Sequence, residues 1–583
     1  MIKKTRSFAQ YFRKESSMTT SALQSGRNDK LFNYFLIIWV VLGLVQNYFT
    51  EVNGEEAYYW LFSQYPAWGY LDHPPMVSLL TAPFYWLFSN NLGLRLGMLL
   101  CSVLTMVVVR ETLGKKDDRL LVWIFASLLA VHVGSYHLKT DVPLLLGIAL
   151  FFYFYKKYLQ DDKLKTAVLL AVSIALIMLS KHHGFLMVIF TVVSNPKLLL
   201  KKSFWVVVLF TTLFMIPHTL WQYNNDFATI KFHLYNRIDM GFSWTTIAYY
   251  VGIQPLVFGP FIGFSLIGAA FANKAGGAFN RALKYCLVGV FVFFLISSFK
   301  VEFHKHWTSV LMIPLILLGH EYISTAPKWR LWLKRLMIVS VVIVIPARIY
   351  LVHDFFPKSW TEGWDVIHNW DTWADEVQTL SGGLPIMFNN HYERSSRYSY
   401  LTGDIVHCYN TFDYRETQHD LMDLEENLQG KDVFQINRFR DTARYDDYFT
   451  QIGKGIHYRV IKDFRSFRKV EVSTEDAEDL QINGSGVSLT LTLTNHYDYA
   501  VDFDGVGDRE VYLNAHLLKG LTPQLSVPLK DMKGKLAPGE SMEIEVQFEA
   551  PIAEGEYDLR FSVQVEGIEP PINSKKYPVV VLR

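Results

Sequence analysis

Residues 51–76 read EVNGEEAYYWLFSQYPAWGYLDHPPM, with four acids, one histidine and no lysine or arginine, directly after the first long apolar run of the chain. Charge at the edge of a membrane is costly unless it is solvated or paired. These acids therefore predict cationic partners from other parts of the sequence. Half of the 583 residues are hydrophobic and 15% are aromatic, a composition that indicates an integral membrane protein. A formal net charge of +1 leaves no electrostatic footprint for nucleic acid.

Apolar runs begin near Leu31, Leu92, Leu120, Val142, Leu164, Gly184, Ser203, Trp244, Arg281, Trp307 and Leu333. At roughly 20 residues per span they predict a polytopic α-helical protein with about eleven transmembrane helices. Alternate loops are basic: RETLGKKDDR from Arg110, KKYLQDDKLK from Lys156, NPKLLLKK from Asn195, NKAGGAFNRALK from Asn273 and KWRLWLKR from Lys328. The positive-inside rule puts these loops in the cytoplasm with the basic N-terminus, and the intervening loops, 51–76 included, outside. Met76 to Ser89 is apolar but too short to span, and counting it would put the Arg110 loop on the wrong side. It reads as an interfacial helix. No small-residue cleavage site follows the first run, which makes it a retained anchor. Residues 1–30 then form a cytoplasmic tail, 31–353 the membrane core, and everything beyond about Val352 lies outside. Cys101 and Cys286 fall in spans and Cys408 is the lone exterior thiol, so the exterior region holds no intramolecular disulfide. These features suit a multi-pass protein of a bacterial inner membrane with a periplasmic C-terminal region.

Residues 354–469 mix helical and strand-like pieces, such as LPIMF at Leu384 and KDVFQI at Lys431, and predict a small α/β segment. From about Val470 the pattern becomes strict alternation: VSLTLTLTN from Val487, SMEIEVQFEAP from Ser541, YDLRFSVQVEG from Tyr557 and YPVVVLR from Tyr577. Period-two runs separated by PGE and EGE turns predict an antiparallel β-sandwich over 470–583.

Ionisable residues gather at the exterior ends of the spans. Glu51, Glu55, Glu56, Asp72 and His73 come from the first loop, and His137, Lys139 and Asp141 from SYHLKTDVP. Lys181, His182 and His183 come from SKHHG, and Lys300, Glu302, His304, Lys305 and His306 from SFKVEFHKHW. Loops are where charges ordinarily belong, yet acids and bases from four loops converging on one face make a site. Carboxylates beside Lys and His suit a base that activates a hydroxyl and cations that hold a leaving phosphate. A membrane protein meets such a phosphate most naturally on a polyprenyl carrier.

EEAYYWLFSQYPAWGYLDHPPM resembles the first exterior loop of the bacterial GT-C glycosyltransferases, relatives of the protein O-mannosyltransferases and lipid A aminoarabinose transferases (families 39 and 83). LKTDVPLLL, LSKHHGFLM, EFHKHWTSVLMIPL and LPIMFNNHYERSSRYSYLTGD are similar to later segments of that group. The resemblance covers most of residues 31–440. It implies a GT-C membrane core and inverting transfer of a sugar from a polyprenyl-phosphate donor to a lipid, envelope glycan or protein acceptor, with no cofactor or required metal. Carried over by position, Glu55 is the base or the group that orients the acceptor hydroxyl. Asp141 organises the acceptor or the developing charge, and Lys139, Lys181 and His73 contact the donor phosphate. Tyr58, Tyr59, Asp72, His182, Lys300 and Glu302 are candidate sugar or acceptor contacts. The family pattern has Asp where this chain has Glu55, and the extra methylene shifts the carboxylate by about an ångström. Glu56 is therefore a second candidate for the working acid.

Plainer readings accompany several of these. Asn53 and Glu56 fit a capping box that starts a short helix. The paired histidines lack metal-ligand spacing. The aromatics of the first loop suit an interfacial belt. The terminal sandwich is similar to immunoglobulin-like modules found beside envelope-polysaccharide enzymes, and a spacer role fits it equally. A carrier or flippase for lipid-linked saccharides is the alternative from another class, as is an inactive sensor. A carrier would place polar groups near the midplane at broken helices, whereas here the acids cluster at one rim.

Overall fold

The computed structural model describes residues 29–234, 243–299, 305–357, 360, 367–450, 453–477, 480–483 and 486–582. The N-terminal basic tail, Lys300 and Glu302 lie outside the described residues.

The first part of the chain is helical: α1 (Asp29–Phe49), α2 (Gly54–Gln64), α3 (Met76–Phe88), α4 (Asn91–Thr112), α5 (Asp118–Ser127), α6 (Leu129–Tyr136), α7 (Asp141–Gln160) and α8 (Leu164–Ser180). It continues with α9 (Phe185–Ser194), α10 (Lys202–Asn224), α11 (Ala228–Leu234), α12 (Trp244–Phe258), α13 (Gly263–Ala272), α14 (Ala278–Ser297), α15 (Met312–Thr325) and α16 (Pro327–Val352). Among the described residues seven helices are long and apolar enough to cross a membrane, and nine spans result if the bent pairs α5–α6 and α12–α13 each count as one.

The expectation of about eleven spans is thus not met. Helix α8 has 17 residues and α9 has 10. Between them the backbone extends at Lys181, with φ −164° and ψ 126°, which lets that lysine reach Asp141. Asn195 and Pro196 then end α9. The 96° bend between α12 and α13 falls at Gly259, whose φ of +125° suits only glycine. Helix α3 has 13 residues, consistent with the expectation that it is too short to span. Leu121, Ile148, Phe152, Cys286 and Leu315 belong to one fully buried core that runs through the bundle.

Beyond α16 lie α17 (Trp370–Ser381), α18 (Tyr392–Thr402) and a five-stranded sheet of order β2-β1-β3-β5-β4: β1 (Ile386–Asn389), β2 (His407–Tyr409), β3 (Val433–Asn437), β4 (Asp446–Phe449) and β5 (Gly455–Ile461). β2, β1 and β3 run parallel, and β5 is antiparallel to both β3 and β4.

The remaining strands form two main sheets around a common core. One has the order β11-β10-β14-β15-β7 and the other β13-β8-β6, built from β6 (Val470–Ser473), β7 (Gln481–Asn483), β8 (Val487–Asn495), β10 (Val511–Lys519), β11 (Thr522–Asp531), β13 (Ser541–Phe548), β14 (Gly555–Val565) and β15 (Tyr577–Leu582). A short pair joins β9 (Val501–Asp502) to β12 (Lys535–Leu536). Val487, Leu489, Leu491 and Leu493 of β8 are buried, while Ser488, Thr490 and Thr492 are not, as alternation predicts.

The β10–β11 hairpin is absent from the alternating runs read in the sequence. Its first strand is buried on both faces: the ring of His516 stacks on Phe412, centroids 3.7 Å apart, and Arg560 beside it donates to the Phe412 carbonyl at 2.7 Å. These contacts fix the terminal sheets to the α/β segment.

Candidate active site

Helix α2 carries the decisive carboxylates and begins with the capping box that Asn53 and Glu56 suggest. The Glu56 N–H donates to Asn53 Oδ1 at 3.1 Å and the Asn53 N–H donates to Glu56 Oε2 at 3.2 Å. Gly54 follows because the chain is pressed against α18: a Cβ there would lie 2.6 Å from that of Glu393.

Glu56 is 1% exposed and has no capacity left. Arg95 of α4 donates from Nε to Oε1 and from Nη2 to Oε2, both at 2.7 Å, and the Leu138 N–H donates to Oε1 at 2.8 Å. Arg95 also donates to the carbonyls of Asn47, Thr50 and Glu51. Burial favours a neutral Glu56, but Arg95 and His137 outweigh it and hold the carboxyl well below its ordinary value. The arrangement ties the first loop to the second. Arg95 did not figure in the sequence reading, although a lone arginine inside the apolar run NLGLRLGMLL is itself a signal, because a charge in a span must be paired.

The adjacent Glu55 is 39% exposed at the side chain and faces Lys139, whose Nζ lies 3.3 Å from Oε2. The Tyr59 hydroxyl donates to Glu55 Oε1 at 3.3 Å and lies 3.1 Å from His73 Nε2. Burial would raise the Glu55 pKa, but Lys139 chiefly, with His137, His306 and His73, brings it below its ordinary value. His73 is pushed well below the usual imidazole range by burial first, and by its neighbours Lys181 and His233. It is therefore neutral, and in its Nε2–H tautomer it donates to Tyr59.

A second pair lies deeper. Asp141, first residue of α7, accepts from Lys181 Nζ at 3.0 and 3.1 Å and from Ser309 Oγ at 2.9 Å. The two pairs are close enough that the field of Asp141 acts on His73 and on Lys139. Three loops thus bring carboxylates and cations together, and a fourth segment adds the Ser309 hydroxyl.

Other predicted residues sit differently. His182 turns from the Asp141–Lys181 pair toward His218 and His233, with ring centroids 5.5 and 6.2 Å away. Tyr58 does not present a free face for a sugar: it is 2% exposed, and its hydroxyl accepts from the Gln418 N–H at 2.7 Å. It docks the first loop on the α/β segment. Gln418 Oε1 in turn accepts from the Leu71 N–H at 2.9 Å. Asp72 is 6% exposed, with Arg415 Nη2 3.8 Å from Oδ2. Gly69 sits where a Cβ would lie 2.2 Å from the Trp221 ring. Among the described residues no cluster of three or more His, Cys, Asp or Glu side chains is placed to hold a metal ion.

Residues 72–221 match the family described as dolichyl-phosphate-mannose-protein mannosyltransferase. The matched stretch contains His73, Lys139, Asp141 and Lys181 and stops short of Glu55. The fold is similar to the crystal structure of ArnT from Cupriavidus metallidurans in the apo state, with a TM-score of 0.52 and 14% identity over 74% of this chain and 98% of that one. The matched stretch lies within the membrane core, and the likeness to ArnT is one of fold.

The same ArnT bound to undecaprenyl phosphate aligns with a TM-score of 0.49 at 14% identity, over 73% of this chain and 97% of that one. At that identity the likeness is one of fold. No curated protein matches the chain. By the length and composition of its helices the chain is a multi-pass membrane protein.

Proposed function

We propose that the chain is a glycosyltransferase that moves a sugar from a polyprenyl-phosphate carrier to a hydroxyl of a lipid, envelope glycan or protein. The observation that supports this most is the pairing of Glu55, the accessible carboxylate of α2, with Lys139 from the next loop, beside the Asp141–Lys181 pair. The acceptor O–H loses its proton to Glu55 as its oxygen attacks the anomeric carbon. The bond from that carbon to the phosphate oxygen breaks, and the polyprenyl phosphate leaves with the electron pair. The sugar configuration inverts. Lys139 and Lys181, with His73 as a neutral hydrogen-bonding group, stabilise the departing phosphate. Asp141 holds Lys181 in place and organises the acceptor side. The charge pattern of the loops supports an exterior, periplasmic site in a bacterial inner membrane, with the 354–469 segment capping it and an immunoglobulin-like sandwich over 470–583 as a rigid buttress. No metal takes part in this reading.

Purified protein in mild detergent, supplied with polyprenyl-phosphate sugars and with lipid, glycan or peptide acceptors, should release polyprenyl phosphate as it glycosylates one of them, and Glu55→Gln should stop that release while leaving Tm unchanged. Binding of the sugar-loaded carrier with no turnover by the wild-type protein toward lipid, glycan and peptide acceptors would favour the carrier reading instead.

A further inference from the structure

The α/β segment contributes an arginine to the pocket. Arg415 lies in the chain between β2 and β3, and Gln418, three residues on, is fastened to the first loop at two points, the Tyr58 hydroxyl and the Leu71 N–H. Leu71 immediately precedes Asp72, so this clamp fixes Arg415 opposite Asp72.

The pair is under-satisfied. Its closest approach is 3.8 Å, longer than a hydrogen bond. Asp72 Oδ1 is buried with no hydrogen-bond partner among the described residues, and a buried acceptor left so is costly. The Arg415 side chain is 33% exposed, with its guanidinium over the Tyr392 ring at 4.5 Å and near that of Phe232 at 5.9 Å. A carboxylate with a vacant lone pair and a guanidinium with spare N–H groups, held in place by its packing over Tyr392, match a polyol. A hydroxyl can donate to the carboxylate and accept from the guanidinium. The pair carries no net charge, which suits a polyol better than a phosphate. Asp72 also adjoins His73, which meets Tyr59 and through it Glu55, so the pair borders the proposed base.

We infer that Arg415 and Asp72 are the specificity-determining pair for the transferred sugar, gripping its ring hydroxyls across the junction of membrane core and α/β segment. The inference rests on the proposed transferase reading and names the subsite of that same pocket.

The full-length protein in detergent is titrated, by native mass spectrometry, with bare polyprenyl phosphate and with polyprenyl phosphate bearing a hexose, an N-acetylhexosamine or an aminopentose. Wild type is expected to bind one loaded carrier about tenfold or more tighter than the bare one, the scale of a charge-assisted hydrogen bond. Arg415→Ala and Asp72→Asn should each abolish that preference and leave affinity for bare polyprenyl phosphate unchanged, with Arg415→Lys retaining part of it. Preference intact in a folded Arg415→Ala or Asp72→Asn protein overturns the inference. So does an equal loss for bare and loaded carriers, which would make Arg415 a phosphate contact. A wild-type protein that binds the bare carrier but prefers none of the loaded forms overturns the inference and spares the transferase reading. If wild type binds neither bare nor loaded carrier, that reading falls and this subsite with it.

Discussion

Lys139 Nζ stands 3.3 Å from Glu55 Oε2, although the two residues come from different loops and each keeps part of its side chain in contact with solvent. An accessible ion pair of this kind can open to admit substrate, with Glu55 turning to an acceptor hydroxyl and Lys139 to a phosphate. Glu55→Gln removes the proposed base and keeps the shape, so turnover should fall by about 10²-fold or more, the scale of general-base catalysis, with Tm held. Turnover within a few-fold of wild type would remove Glu55 from the chemistry.

Lys139 also sets where Glu55 titrates. A base must be ionised, so the acid limb of kcat/KM should lie below pH 4.5, the ordinary value of its carboxyl, because Lys139 and nearby histidines override the effect of burial. In Lys139→Met the largest lowering influence is gone and burial gains. The limb should then move to higher pH, along with a general loss of rate from the missing phosphate contact. A limb that stays in place shows that Lys139 does not govern Glu55.

Glu56 makes the opposite prediction. Its carboxylate is shared by Arg95, the Leu138 N–H and Asn53, and breaking a buried ion pair from one side typically costs about 3–5 kcal/mol. Glu56→Gln should therefore lower Tm strongly, and Arg95→Met should do the same. The two adjacent glutamates separate cleanly by experiment: one variant loses activity at normal stability and the other loses stability first. A Glu56→Gln protein with wild-type Tm and no turnover would reverse the assignment.

The contrast also marks what the sequence could reveal. Acids with no local counter-charge in 51–76 imply remote partners, and Lys139 and Lys181 are where that reasoning looked for them. It did not say which partner meets which acid, since Asp141, not a glutamate, takes Lys181. Arg95 sits inside an apolar run and, by composition, reads as part of a span. Arg415 and Gln418 were out of reach for another reason: they lie about 350 residues from the loop they clamp, in a polar segment whose composition matches any surface loop. Hydrophobic periodicity exposed strands such as β8, where one face is wet, and missed β10, where docking by Phe412 buries the second face. Span counting overshot because the polar break SKHHG shortens α8 and α9 in order to deliver Lys181.

Tyr58 tests the junction between membrane core and α/β segment. Its hydroxyl accepts the Gln418 N–H at 2.7 Å in a buried setting, so Tyr58→Phe leaves that donor unsatisfied at a cost of about 1–3 kcal/mol. Tm should fall correspondingly. Because the same clamp places Arg415, KM for the sugar-loaded carrier should rise more than kcat falls. An unchanged Tm would mean that water replaces the phenol without loss and that the clamp is not rigid.

The segment that carries Gln418 should respond to pH through Asp420. Its Oδ2 accepts from the Thr417 N–H at 2.7 Å and from Asn410 Nδ2 at 2.5 Å, while Arg468 stands 3.7 Å from Oδ1. Burial pushes the Asp420 carboxyl up to about 6, against the pull of Arg468 and the Thr417 N–H and with that of Glu416. Its ordinary value is 3.8, so between those two pH values the folded protein holds more protons than the unfolded chain. Stability from this group therefore rises as pH falls from about 7 toward 4. Asp420→Asn keeps an oxygen for both donors and removes the titration. The Tm of the variant minus that of wild type should be more positive at pH 7.5 than at pH 5. A difference that does not change with pH would show that Asp420 titrates as an ordinary carboxylate and that Arg468 compensates fully for its burial.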